Sequence, residues 1–239
     1  LSQFKLWYSQ AGTPEVSSKG VYDEKAKTYT LTLMQDIPDT PGQTHKKPMH
    51  IPVAVGLIGP NGDDLIETKV LDLKEPAQTF VFENIGVKPV PSILRNFSAP
   101  IKLTTDLSDD DLKFLMVHDS DGFNRWEAGQ TYALRVINGL IDTNVMNDGL
   151  LSSMESLLDL AIANKSDKAL LAKALSLPDI QSVAQSRDIV DPDAIYAAKD
   201  KISKAFAAQC HDKLIKVYED NIDTGAYSTA PDAVAKRSL

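Results

Sequence analysis

The chain has 239 residues, 33 acidic against 25 basic side chains, a formal net charge of −8 and 43% hydrophobic positions. That balance argues against a nucleic-acid binder, which needs a surplus of Lys and Arg on some face to neutralise phosphates, and no apolar stretch reaches the roughly 20 residues that span a bilayer. The start, Leu1-Ser2-Gln3-Phe4-Lys5, lacks the charged-then-apolar order of an export signal, and the single Cys210 excludes an internal disulfide, so a reducing cytoplasm is the expected compartment.

Composition divides the chain in two. Ten of the thirteen prolines lie in the first 100 residues, whereas five alanines precede residue 101 and eighteen follow it, the signature of a turn-rich β segment followed by a helical one. The expected fold is a multidomain α and β protein: an antiparallel β-sandwich over residues 1–103, then an α-helical bundle or superhelix segment over 104–239.

In the first part the period is two. Tyr29, Leu31 and Leu33 alternate with Thr28, Thr30 and Thr32, so one face enters a core. Ile51, Val53, Val55 and Leu57 repeat the pattern, and Asn61-Gly62-Asp63-Asp64 supplies turn residues before Leu65 to Leu73 returns as the second arm of a hairpin. Phe80-Val81-Phe82 and the stretch from Val87 to Phe97 add short strands, with Pro89 and Pro91 confining the latter to an edge or bend. Six or seven short strands predict a sandwich.

In the second part the period lengthens to 3.6. Ser108 with Asp109-Asp110-Asp111 predicts a capped helix start, broken at Asp121-Gly122. A longer helix carries Phe123, Trp126, Ala133, Ile137 and Ile141; another carries Leu150, Met154, Leu157, Leu158 and Ala161. Pro178 and Pro192 suit helix N1 positions, the latter behind an Asp191 cap. The longest helix is expected after Pro192, with a single stripe Ile195, Ala198, Ile202, Phe206, Cys210, Leu214 and Val217.

Candidate chemistry is sparse. No His-Glu-x-x-His occurs; His45 and His50 lie five apart around Pro48, which forbids a helical metal pair, and read as a polar loop entering a strand. His118 suits a helix C-terminus. Asp119-Ser120-Asp121-Gly122 hints at a calcium loop, but the register that puts Gly at position six places Val117 where an acid is required. Cys210 beside His211 reads as a buried, inert thiol, since adjacent helical residues point about 100° apart. Gly-rich phosphate loops and Gly-x-Ser-x-Gly elbows are absent. No residue is assigned a catalytic, cofactor-binding or metal role.

The opening Phe4-Lys5-Leu6-Trp7-Tyr8-Ser9-Gln10-Ala11-Gly12-Thr13-Pro14 nevertheless resembles, almost letter for letter, the segment after the catalytic domain in bacterial aminopeptidases of the M1 zinc metallopeptidase family. Further blocks agree in order: Tyr29-Thr30-Leu31-Thr32, Lys47-Pro48-Met49-His50-Ile51-Pro52, Gln78-Thr79-Phe80-Val81-Phe82, Pro89-Val90-Pro91-Ser92, Asn96-Phe97-Ser98-Ala99-Pro100-Ile101-Lys102-Leu103 and Phe123-Asn124-Arg125-Trp126-Glu127-Ala128. The resemblance spans essentially the whole chain.

What it implies is a structural role. The family's zinc-binding His-Glu-x-x-His, its Gly-x-Met-Glu-Asn segment and its transition-state tyrosine belong to a domain preceding residue 1; Ser153-Met154-Glu155-Ser156 lacks both the Gly and the Asn, and nothing is carried over to it. The chain is expected to be an excised piece: Leu1 is no natural start, and the helix begun at Pro231 stops at Leu239. The implied parts are a small β-sandwich wedged beside the catalytic domain and the beginning of a helical superhelix that encloses the active-site chamber and limits access to small peptides. The expected partners are the parent's catalytic domain and the remainder of its helical domain, with zinc and peptide substrate bound only in the parent. The alternative is a self-standing protein-interaction module without enzymatic activity.

Overall fold

Seven strands and nine helices follow one another along the described residues, Ser2–Asn164 and Ser166–Leu239, of the computed structural model. Contacts divide them into two units, residues up to Asp111 together with His118–Asn124, and Leu112–Val117 together with Arg125–Leu239.

The first unit is a sandwich of two sheets. β1 (Glu15–Asp23), β2 (Thr28–Asp36), β5 (Ala77–Phe82) and β7 (Lys102–Thr104) form one in the order β5-β2-β1-β7; β3 (Ile51–Ile58), β4 (Lys69–Leu73) and β6 (Val90–Ile93) form the other in the order β4-β3-β6. Pairing is antiparallel except that β7 runs parallel to β1, Glu15 opposite Lys102. The alternation of β2 is realised: Tyr29, Leu31 and Leu33 enter a core with Val16, Val53, Val55, Leu57, Leu71, Leu73 and Phe82, while Thr32 Oγ1 meets Thr79 Oγ1 at 3.1 Å on the other face. β6, carrying Pro91, is an edge strand, where the missing N–H breaks no ladder.

Two expectations change here. β3 does not alternate: Ala54, Gly56 and Ile58 are buried as well as Ile51, Val53, Val55 and Leu57, because the 3-10 turn Arg95–Phe97 and Ser98 lie over its second face, Ser98 Oγ accepting from Ala54 N–H at 2.9 Å. The hairpin's return arm is shorter than Leu65–Leu73. After the Ile58–Asp64 bridge the chain leaves the ladder and rejoins only at Lys69, since Asp64 and Thr68 turn their side chains to Arg95 instead.

A short N-terminal helix, α1 (Leu6–Ser9), is strapped to the sandwich by polar side chains. Trp7 Nε1 donates to His50 O at 2.9 Å, Gln10 pairs with both backbone groups of Lys47, and Gln43 pairs with Ser9 O and Ala11 N–H. Lys46 Nζ donates to Ala11 O, Pro38 O and Thr40 Oγ1 at 2.7, 2.5 and 2.9 Å, so one ammonium closes the strap with three charge-assisted bonds.

The remaining helices are α2 (Asp109–His118), α3 (Gly122–Thr143), α4 (Asp148–Ile162), α5 (Lys168–Ala174), α6 (Ile180–Gln185), α7 (Pro192–Gln209), α8 (His211–Asp220) and α9 (Pro231–Ser238). Ser108 and Asp111 cap α2 reciprocally, an aspartate version of the capping box. In the second unit α4 packs against α5, α7 and α8, α6 against α7, and α5 against α9, with Leu150, Met154, Leu157, Leu171, Val183, Ile195, Ile202 and Phe206 buried.

Three helix expectations are corrected. Pro178 precedes rather than opens α6: Asp179 is the N-cap, accepting from Ser182 N–H at 2.6 Å, and Pro178 O accepts from Lys199 Nζ. The stripe after Pro192 belongs to two helices, broken at Cys210 (φ −109°, ψ 19°), across which Ile195, Ile202, Phe206, Cys210 and Val217 all stay buried. The longest helix is therefore α3, with 22 residues against 18 for α7. Pro192 does occupy the first turn behind Asp191, whose carboxylate accepts from Asp193 and Ala194 N–H at 3.0 Å.

Candidate functional site

The residues singled out for chemistry are each committed elsewhere. His50 Nε2 lies 2.6 Å from Asp72 Oδ1 across β3 and β4, and that bond, aided by Lys74, holds the Asp72 carboxyl below its ordinary range; His45 is exposed in the preceding loop. Cys210 is 2% exposed, and burial, with Glu155 adding, pushes its thiol up. His211 Nδ1 pairs with Asp212 Oδ1 at 3.0 Å, and no hydrogen bond joins the thiol to the imidazole as a nucleophile and its base would require. In Ser153-Met154-Glu155-Ser156, Met154 is core and Glu155 binds Lys213 Nζ at 2.8 Å and Gln209 Nε2 at 3.0 Å.

Among the described residues no three His, Cys, Asp or Glu side chains are grouped to hold a metal ion. No helix among the described residues is long and apolar enough to cross a membrane.

What is assembled is an arginine centre that sequence reasoning passed over. Arg95 is 3% exposed, and all five of its N–H donors are used. Nε donates to Ser92 Oγ at 2.9 Å; Nη1 donates to Asp64 Oδ2 at 3.2 Å and Thr68 Oγ1 at 3.0 Å; Nη2 donates to Asp64 Oδ1 at 2.6 Å and Asp119 Oδ1 at 3.4 Å. Gly56 makes the room: a Cβ there would lie 2.5 Å from Arg95 Nε and closer still to Cζ. Burial alone would raise Asp64, but hydrogen bonds from Arg95 and Ser120 and the guanidinium charge hold it below the usual carboxylate range.

Asp119-Ser120-Asp121-Gly122 therefore serves a guanidinium rather than calcium. Ser120 Oγ donates to Asp64 Oδ2 at 2.7 Å, Asp121 Oδ2 accepts from Asn96 N–H at 3.0 Å, and Asp121 Oδ1 caps α3 through Asn124 N–H at 2.9 Å. Asn124 Nδ2 reaches Ser92 Oγ and Ile93 O at 2.8 and 3.0 Å. These bonds hold the turn in an unfavourable backbone: Leu94, Asn96 and Phe97 have φ of 69°, 55° and 48°, a left-handed region that costs an ordinary residue about 1–2 kcal/mol. The only sequence signal was the density of Asp and Asn in 119–124, which names the caps without naming the arginine.

Residues 12–106 match a family described as a domain of unknown function (DUF3458) with an Ig-like fold, and residues 109–239 match its companion, DUF3458_C, described as ARM repeats. The chain is 35% identical to aminopeptidase N of Escherichia coli (strain K12), 33% to that of Haemophilus influenzae and 36% to that of Caulobacter vibrioides. Each match covers 100% of this chain and 28% of the relative, so the chain spans little more than a quarter of the proteins it resembles. The structure of Legionella pneumophila aminopeptidase A in complex with aspartic acid superposes with a TM-score of 0.84 at 23% identity, again over 100% of this chain and 28% of that one, a likeness of fold.

Proposed function

The chain belongs to the DUF3458_C family of ARM repeats, and from that premise we propose that it is the non-catalytic, active-site-enclosing portion of a zinc-dependent bacterial aminopeptidase that releases N-terminal residues from peptides. The observation that carries the reading is collinear similarity along the entire chain to a 28% segment of aminopeptidases N. The Ig-like part, residues 1–103, acts as a spacer and the helical part, 104–239, as a wall. Zinc and peptide are held by the catalytic domain of the parent, in the cytoplasm, and the partners of this chain are that domain and the rest of the helical array. Exposed Ile215, Tyr218 and Ile222, at spacings of three and four along α8 and its end, and exposed Tyr196 on α7 support it, because stacked helical repeats cover one another's apolar faces.

Two experiments test this. Elemental analysis and an alanine arylamide assay of the purified chain are expected to give no stoichiometric zinc and no turnover; one tightly held zinc with chelator-sensitive turnover that persists through repurification refutes the reading. Exchanging this segment for its counterpart in the Escherichia coli relative is expected to preserve peptide turnover, whereas deleting it abolishes turnover or relaxes the size limit on substrates. Full, size-limited activity after deletion shows that the segment encloses nothing.

A further inference from the structure

We propose that residues Asp119–Asn124 are a latch closed on the sandwich through Arg95, in which Asp64 is the standing counter-ion and Asp119 is a bolt that holds most tightly when it carries a proton. The argument begins with a charge count. One guanidinium faces two carboxylates, Asp64 and Asp119, and a third, Asp121, stands beside them on the latch itself. Fully ionised, the cluster carries three negative charges against one positive. His118 leads into the latch and lies against Gly62.

The surplus falls on Asp119. Asp64 takes the short, bidentate contact and keeps 32% of its side chain in solvent. Asp121 is satisfied by two backbone N–H groups. Asp119 has a fully buried side chain that meets Arg95 only at a distant 3.4 Å edge; its Oδ1 takes Asp121 N–H at 2.9 Å, the Ser92 hydroxyl stands near the carboxylate, and its Oδ2 lacks a hydrogen bond of normal geometry. An ionised oxygen buried without a donor is the most costly state such a group can adopt. Burial accordingly raises the Asp119 carboxyl, Asp121 adds to this, and Ser92, the Asp121 N–H and Arg95 offset only part of it.

The two acids act in opposite directions with pH. The raised Asp119 binds its proton more tightly in the folded chain, so its contribution is full below the ordinary carboxylate range and is lost as pH rises through the raised value. The lowered Asp64 contributes above that range and is lost as pH falls through its lowered value. The latch is tightest in the interval between the two.

Hydrogen–deuterium exchange of the whole chain, read at the Asn96, Asp121 and Asn124 amides and corrected for intrinsic rates, tests this. Protection is expected to grow as pH falls from about 8 toward about 4, the ordinary carboxylate range, with a total gain of about tenfold for each unit by which Asp119 is raised. Asp119→Asn should keep the wild-type protection at neutral pH or exceed it, and should flatten the pH dependence. Asp64→Asn should lose protection at least about tenfold, the effect of leaving a buried guanidinium half-paired. Protection that does not vary with pH in the wild type, or that falls as far in Asp119→Asn as in Asp64→Asn, overturns the proposal. Should Asp64→Asn not fold, the pH series on the wild type and Asp119→Asn decides by itself.

Discussion

Replacing Gly56 by Ala probes the arginine centre without touching a polar group. The added Cβ would fall inside the Arg95 guanidinium, 2.5 Å from Nε, and the guanidinium cannot swing aside as a surface arginine would, because Ser92, Asp64, Thr68 and Asp119 hold it from four directions. Displacing it loses charge-assisted hydrogen bonds worth about 1.5–3 kcal/mol each, and breaking a buried ion pair costs about 3–5 kcal/mol. Since Asp64 is a third exposed, the lower end applies, about 3 kcal/mol. In a sandwich of roughly 100 residues, where each kcal/mol is worth about 4–8 °C, that is a fall in melting temperature of about 12–24 °C.

The assay is a double-mutant cycle by urea and thermal unfolding. Arg95→Ala removes the obstructing atoms, so adding Gly56→Ala to it should cost less than about 1 kcal/mol, a coupling of about 2 kcal/mol. Additive costs, or a single Gly56→Ala within about 0.5 kcal/mol of wild type, would refute the claim that this glycine exists for the arginine.

Gly20→Ala should cost about 1–3 kcal/mol through overpacking, since its Cβ would lie 2.8 Å from Tyr29 Cζ and closer to the hydroxyl; Tyr29→Phe should recover part of that, and no recovery would place the clash elsewhere. Lys46→Met should open the N-terminal strap, speeding limited proteolysis between Asp36 and His45 several-fold while the main melting transition moves by less than about 5 °C; an unchanged cleavage rate would mean that the glutamine pairings suffice. Cys210 should resist a thiol reagent at about pH 8 in the folded chain and react at the free-thiol rate in denaturant; native-state labelling at that same rate would contradict its burial at the α7–α8 junction.

Several features could be read locally because they depend on residues close in sequence. The Tyr29, Leu31, Leu33 alternation in β2, the Ser108 and Asp191 caps and the edge placement forced by Pro91 each follow from backbone sterics or from a side chain bonding a few residues away. The resemblance to post-catalytic segments of aminopeptidases was equally legible, as a collinear string of blocks. Without any rule of chemistry in those blocks, it pointed to a scaffold rather than an active site.

Other features depended on what lay across the fold. The extent of β4 was misjudged because Asp64 and Thr68 answer to an arginine 31 and 27 residues away, and the burial of both faces of β3 because Ser98 and the Arg95 turn cover the second one. The α7–α8 break at Cys210 left no mark in the apolar period, since a bend that keeps the same stripe inward is silent in hydrophobicity. Sequence by itself determined the two-part layout, the element types and their caps, all set by short-range sterics and solvent partition. Only the tertiary structure decided that Arg95, Asp64 and Asp119 meet, because a buried charge selects its partners by distance in space, and no local pattern encodes that distance.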